Sequence, residues 1–332
     1  HVGPKSQFMT TEGLREEPAR KKRRKRAQER ALERTPSRFV ARLPWAELLS
    51  NPSSFADLLE KHHYVVLTQL PAHILTACED AAAELAHFFT AADLAEKQAC
   101  VCLEPGRRCG YHVTLASEGL SQACQRESYQ VRGDAFASQP WPSWRVASTA
   151  MHCARQLEAV AWRCLHATLR GAPLPSASAQ DALGLGPSVL DAFHYAAPRG
   201  SARGCATSDK NMEPDVLMYE HLDPGFLTLE PRASAAGLQV LEGSGSGWLL
   251  VEPELGRSDL VVFACEALER VTHGAVRGAL HRVVAVEDRP RHAIAYELRS
   301  LRPSMFTANE GVRDLYPVCS DLPCGKDTQR GR

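Results

Sequence analysis

From about Leu190 onward the chain breaks into short β-type runs separated by Gly, Pro and Ser. They are Val216–His221, Leu227–Glu230, Leu238–Leu241, Trp248–Glu252, Leu260–Ala264, Leu280–Val286 and Ala293–Leu298. Strands of this length, with no room for a helix between most of them, read as a sandwich or barrel rather than an alternating α/β sheet. The preceding half has a different texture. Tyr64–Leu67 is a short β-rich run, and Pro71 is well placed to open a helix. Ile74, Leu75, Cys78, Ala81, Ala82, Leu85, Phe88 and Phe89 then recur at helical spacing, with Glu79, Asp80 and Glu84 off that face. A second helical pattern runs from Val146 to Leu169 through Met151, Leu157, Val160, Ala161, Cys164 and Leu165. Its His152 and His166 are expected to be partly buried structural histidines. The expected fold is therefore mixed α/β with an all-β core, helix-rich first and strand-rich second.

The bulk numbers narrow the class. A chain of 332 residues, 44% hydrophobic, can bury a sizeable core. No apolar run approaches the roughly 18 residues of a membrane span. The start lacks an apolar h-region, so secretion is not expected. The chain begins at His1, and the residues before Met9 read as an appended or truncated start. The 11 cysteines form no CxxC pair and their count is odd, which reads as scattered reduced thiols in a nuclear or cytoplasmic protein.

A net charge of zero hides an asymmetry. Residues 1–35 carry 11 Lys/Arg against 5 Asp/Glu, a balance of +6, leaving −6 on residues 36–332. This polar segment is expected to be a disordered basic tail. Its run Arg20-Lys21-Lys22-Arg23-Arg24-Lys25-Arg26 suits a nuclear address read by an import receptor, a polyanion-binding arm or a solvated tail. The mildly acidic remainder argues against a broad nucleic-acid footprint.

Within the strand-rich half, His221-Leu222-Asp223 is followed 58 residues later by His281 and then by Arg291. Two imidazoles and a carboxylate suit Fe(II) that must keep coordination positions open. On an extended strand, residues two apart share a face, and Pro224-Gly225 ends the strand there, which presents both groups at a strand mouth. Zinc can use the same ligand types, although the HExxH spacing of zinc proteases is absent. A downstream Arg suits a carboxylate held by paired hydrogen bonds.

The surroundings extend the motif. His221-Leu222-Asp223-Pro224-Gly225-Phe226-Leu227-Thr228-Leu229, then Gly237-Leu238-Gln239-Val240, Gly247-Trp248 and His281-Arg282-Val283-Val284, resembles the isopenicillin N synthase-like family of iron dioxygenases. That family reads approximately HTDPGxLTLL, GLQV, GxW, HRVV and RxS. Upstream, Tyr64–Leu67, Phe88-Phe89, Lys97, Gly110-Tyr111 and Glu127-Ser128-Tyr129 look like its N-terminal region, so the resemblance covers about residues 39–300.

The resemblance implies a double-stranded β-helix (jelly roll) with flanking N-terminal helices. It divides the chain into the tail at 1–35, a helix-rich region at 36–180, the catalytic core at 181–305 and a C-terminal tail at 306–332. It implies His221, Asp223 and His281 as Fe(II) ligands, and Arg291 and Tyr195 as partners of the distal carboxylate of 2-oxoglutarate. Tyr111 and Tyr129 are implied at the substrate entrance. O2 is the oxidant, ascorbate is an optional addition, and no catalytic residue beyond the metal centre is assigned. The implied reaction oxidises, by default hydroxylates, a small organic substrate with release of succinate and CO2.

Three departures bear on these roles. RxS is here Arg291-His292-Ala293, the Asn two before the family Tyr is Phe193, and the family GD is Ala264-Cys265. Two other classes remain open: an iron oxidase of the same fold that uses no 2-oxoglutarate, and a nuclear binding protein with a vestigial metal site. A nuclear oxygenase acting on a macromolecule is a variant of the first reading.

Overall fold

The computed structural model describes residues 40–102, 109–114, 126–170, 186–197, 216–242 and 247–299. The basic run at 20–26, the tail at 306–332 and Cys124, Cys205, Cys319 and Cys324 lie outside the described residues. Among those described, the strands are β1 (Arg42–Pro44), β2 (Tyr64–Thr68), β3 (Gly110–Thr114), β4 (Arg126–Arg132), β5 (Val189–Tyr195) and β6 (Val216–His221). They continue as β7 (Leu227–Pro231), β8 (Leu238–Leu241), β9 (Trp248–Leu250), β10 (Leu260–Ala264), β11 (His281–Val284) and β12 (Arg291–Leu298). The helices are α1 (Trp45–Ser50), α2 (Pro52–His62), α3 (Ala72–Ala91), α4 (Leu94–Ala99), α5 (Trp144–Thr168) and α6 (Glu266–Val271).

The strands form a large sheet in the order β1-β2-β10-β7-β12-β5-β4-β3 and a small one in the order β6-β11-β8-β9. Side-chain alternation along the strands then builds two cores. In β2 and β10, Val65, Leu67, Leu260 and Val262 join the cluster beneath the helices, whereas Tyr64, Val66, Val261 and Phe263 join a second cluster. That second cluster includes Leu238, Val240 and Leu249 of the small sheet. The layers are thus helices, large sheet and small sheet, with an inner core between the sheets. Both faces of β2 and β10 are covered, which is why they read as continuous apolar runs.

Helices α3 and α5 cover the outer face. Leu85 and Phe88 of α3 and Leu157, Ala161 and Leu165 of α5 lie in the outer core. The Ser143 side chain caps α5 by accepting the Val146 N–H at 3.2 Å. The buried stripe of α5 leaves His152 and His166 exposed. Their expected partial burial is corrected, because Cys153, Ala154, Leu157 and Cys164 already fill the face against the sheet.

The strand-rich half follows the expected runs with small shifts. Pro253 ends the run that begins at Trp248 after Leu250, and Glu252 drops out of the ladder into a short 3-10 turn. The helix-rich half is less purely helical than expected. It contributes β1 to β4, which extend both ends of the large sheet. Among the described residues seven cysteines are free, with Cys78 and Cys153 in a 3.9 Å buried contact, and no helix is long and apolar enough to cross a membrane.

Leu157→Ala, a truncation in the helix–sheet core, is predicted to cost about 2–5 kcal/mol in urea unfolding. Metal affinity should be unchanged, since Leu157 lies on the layer away from the small sheet.

Candidate metal centre

Strands β6 and β11 are antiparallel neighbours, and their register sets His221 opposite His281. The two rings lie 4.3 Å apart between centroids. Asp223 follows on the turn that Pro224-Gly225 creates. That turn is pinned to the first turn of α6: the carbonyls of Asp223 and Gly225 accept the N–H groups of Glu266 and Ala267, each at 2.9 Å. Gly225 is required by close approach, because a Cβ there would lie 2.6 Å from the Leu298 carbonyl oxygen and 2.8 Å from Glu297 Cγ.

Each donor is oriented by a second contact. Thr228 Oγ1 donates to Asp223 Oδ2 at 2.6 Å. His221 Nδ1 donates to the Tyr219 carbonyl at 2.8 Å, and His281 Nδ1 to the Ala279 carbonyl at 2.9 Å. Protons fixed on both Nδ1 atoms leave both Nε2 lone pairs free, which is how metal-binding histidines are held in the right tautomer. Phe263 stacks on the His281 ring at 5.1 Å with 6° between planes.

Asp223 lies 3.5 Å from His221 Nε2 and 3.8 Å from His281 Nε2. One donor atom from each residue falls within a 4.8 Å cluster. These separations are long for hydrogen bonds and approach the about 3 Å between neighbouring ligands bound some 2.1 Å from one ion. Burial opposes ionisation of Asp223, but His281, His221 and the Thr228 hydroxyl outweigh it and hold the carboxyl below its ordinary range. Burial also lowers the pKa of His281, favouring the neutral imidazole that binds metal. His221 moves up instead: burial lowers it, but the adjacent Asp223 carboxylate outweighs burial. The residues present fit a divalent metal with an N2O donor set.

Arg291 begins β12 opposite Tyr195 of β5. Alternation puts both on the inner face, since Ile294 and Tyr296 of β12 and Leu190 and Ala192 of β5 point into the outer core. The Arg291 guanidinium stands 5.5 Å from the Tyr195 ring, and the Tyr195 hydroxyl donates to Met218 Sδ at 3.6 Å. Arg291 is 3% exposed, and its Nη2 donates to Glu252 Oε1 at 2.8 Å.

Two acidic residues and one basic residue around this pocket escaped the sequence reading. Glu252 is one. Glu230 is another: it stands two after Thr228 on β7 and so shares the face that reaches Asp223. Burial pushes its carboxyl up to about 8; Arg291 opposes this, while Glu252 and Asp223 reinforce it. A usable signal existed, because Glu230 stands where the HTDPGxLTLL pattern has its final Leu. Arg126 is the third. It pairs in register with Tyr195, and its guanidinium stands 5.5 Å from the Phe193 ring.

Tyr111 and Tyr129 require a correction. They pair with each other across β3 and β4, but on the outer face. Phe88 meets both rings edge-on, at 5.9 and 5.7 Å. The Tyr129 hydroxyl donates to the Pro140 carbonyl, and the Tyr111 hydroxyl donates to Glu127. Glu127 also accepts from Lys97 Nζ at 2.8 Å and lies 2.8 Å from His194 Nδ1. The two tyrosines therefore belong to a buried network that docks α3 and α4 on the outer face of the sheet. His273 has φ 51° just before Gly274 at φ 82°.

Thr228→Val should weaken Mn(II) binding about 10–100-fold in calorimetry, as loss of a partner that orients a ligand does; affinity equal to wild type would contradict the role given to Thr228. Glu230 predicts a pH effect on the metal-free protein. Its raised pKa means the folded state holds a proton that the unfolded chain releases near 4.5, so its contribution declines as pH rises from about 4.5 to about 8. The Tm gain of Glu230→Gln over wild type should therefore grow across that window. A constant difference would contradict it.

The comparisons with known proteins agree with this geometry. Residues 200–300 match the model of the 2OG-Fe(II) oxygenase superfamily. The chain is 36% identical over 86 residues to gibberellin 3-beta-dioxygenase 1 of Pisum sativum, a stretch that spans 25% of this chain and 22% of that relative's length. Among solved structures, a full-length Neurospora crassa protein in complex with alpha-KG and 5-formyluracil superposes with a TM-score of 0.62 at 20% identity, covering 82% of this chain and 90% of that one. The rice dioxygenase for auxin oxidation gives 0.58 at 18% identity, covering 79% of this chain and 83% of that one. The two sheets are those of the double-stranded β-helix, and residues 200–300 within it are similar to the 2OG-Fe(II) oxygenase superfamily.

Proposed function

We propose that this protein is an Fe(II)- and 2-oxoglutarate-dependent dioxygenase that oxidises, most simply hydroxylates, a small organic substrate. The observation that carries the reading is the convergence of His221 Nε2, His281 Nε2 and the Asp223 carboxylate, each oriented by a further partner, at the mouth of a jelly roll. Three protein ligands leave positions for a chelating 2-oxo acid and O2. Bound Fe(II) would supply the coupling of O2 reduction to decarboxylation of the 2-oxo acid into succinate and CO2.

The chain's own residues have narrower tasks. Thr228 holds Asp223 Oδ2, leaving Oδ1 directed at the His221 imidazole. Phe263 backs the His281 ring and keeps water from it. Arg291 and Tyr195 are the groups placed to receive the distal carboxylate of the 2-oxo acid. Arg126, Ser128 and Phe193, on the inner face of β4 and β5, form a wall available to the prime substrate. The Neurospora crassa protein, which shares the fold, was solved with alpha-KG and with thymine, and this supports a small planar polar molecule as the substrate class to screen first.

One observation favours a second reading, an iron oxidase of this fold with no 2-oxo acid: the pairing of Arg291 with Glu252 leaves the guanidinium little net charge to offer. As to location, the run at 20–26 supports engagement of a nuclear import receptor.

Anaerobic titration of the Fe(II) protein with 2-oxoglutarate should raise a weak metal-to-ligand charge-transfer band. The band should vanish in His281→Ala and require far more ligand in Arg291→Ala. In air, with a productive substrate, succinate should form one for one with oxidised product. Bound iron with no band would overturn the 2-oxoglutarate assignment in favour of the second reading.

A further inference from the structure

We propose that Glu252 sets co-substrate selectivity: it neutralises Arg291 from within and so weakens its preference for a 2-oxo acid that carries a distal carboxylate. The proposal rests on the 2-oxoglutarate reading above.

The Arg291–Glu252 pair is a built feature. Glu252 is 4% exposed, and its Oε1 accepts from Arg291 Nη2 at 2.8 Å. Its other oxygen accepts the backbone N–H groups of Gly237 and Leu238, the latter at 2.8 Å. Gly237 makes the arrangement possible twice over. It supplies one of those N–H groups, and a Cβ there would lie 3.2 Å from both Cδ and Nε of Arg291 and 2.6 Å from the Val284 carbonyl oxygen. Pro253, next in sequence, ends the strand and turns Glu252 inward.

Glu230, on the inner face of β7 with Thr228, holds its proton up to about pH 8 and adds no charge at neutral pH. The one cation is therefore already matched by one carboxylate before any ligand arrives. Ala293 stands where the family pattern supplies a Ser hydroxyl, so nothing at that position offsets the negative charge. An incoming distal carboxylate must either crowd against that carboxylate or displace Glu252 from three hydrogen bonds. A ligand with a methyl in place of that carboxylate meets neither obstacle.

The test compares two 2-oxo acids on one skeleton, 2-oxoglutarate and 2-oxopentanoate, by anaerobic calorimetry on the Mn(II)-loaded protein. The quantity read is the ratio of their Kd values in wild type and Glu252→Gln. The variant should increase the preference for 2-oxoglutarate by on the order of tenfold or more, as expected on removing a like charge a few ångströms away, with the 2-oxopentanoate Kd nearly constant. If Glu252→Gln does not fold, Glu252→Asp decides, since it keeps a carboxylate for the Gly237 and Leu238 N–H groups but shortens its reach to Arg291, and the ratio should move the same way. An unchanged ratio overturns the proposal, and a fall in Glu252→Gln would make Glu252 a positioning residue for Arg291 instead. If metal-loaded wild type and variants bind neither acid, the co-substrate reading itself falls, and this proposal with it.

Discussion

The cross-strand pairing of β6 with β11 is the constraint on which the rest of the site depends. It sets His221 opposite His281 although 59 residues separate them in the chain. A slip of one residue would turn one imidazole to the opposite face of its strand. The register is secured from outside the site: β11 is held between β6 and β8, and Val240 and Leu238 of β8 anchor the inner core. The third candidate ligand needs no sheet register. Asp223 follows two residues after His221 on a turn tied to α6, and Thr228 one strand later locks its carboxylate. The jelly roll thus brings two candidate ligands together by strand pairing and one by loop geometry.

Charge distribution on the inner face is the second organising element. Polar groups that would be costly in an apolar core are paired here: Arg291 with Glu252, Arg299 with Glu297, Gln130 with Asp191. The outer face of the same sheet carries the apolar side chains that meet α3 and α5. One sheet therefore provides adhesion on one side and chemistry on the other. Residues assigned from sequence alone move between these roles with a single change of strand parity.

That parity explains which parts of the site were legible. The grouping of His221, Asp223 and His281, which the structure brings together, could be read because ligand chemistry restricts residue type and HxD is a local pattern. The jelly-roll strands could be read because Gly and Pro mark their ends. Tyr111 and Tyr129 were placed at the substrate entrance because their faces could not be assigned until β3 and β4 were seen as strands; Gly110–Thr114 and Arg126–Arg132 hide that by mixing polar residues onto the inward side. Glu252 was not legible at all. Its contact with Arg291 spans 39 residues and depends on how Pro253 redirects the chain. Glu230 was legible only as a departure from a pattern, and its consequence needed the position of Arg291.

X-ray absorption at the iron edge, on the Fe(II) protein held anaerobically, reads the metal's ligands themselves. One iron in a shell of nitrogen and oxygen alone is expected, with outer-shell scattering from two imidazoles. Addition of 2-oxoglutarate should keep the nitrogen and oxygen shell. A sulfur scatterer, such as the thiol of Cys265 beside Thr228, or iron that stays bound after His221 and His281 are both replaced by alanine, would contradict it.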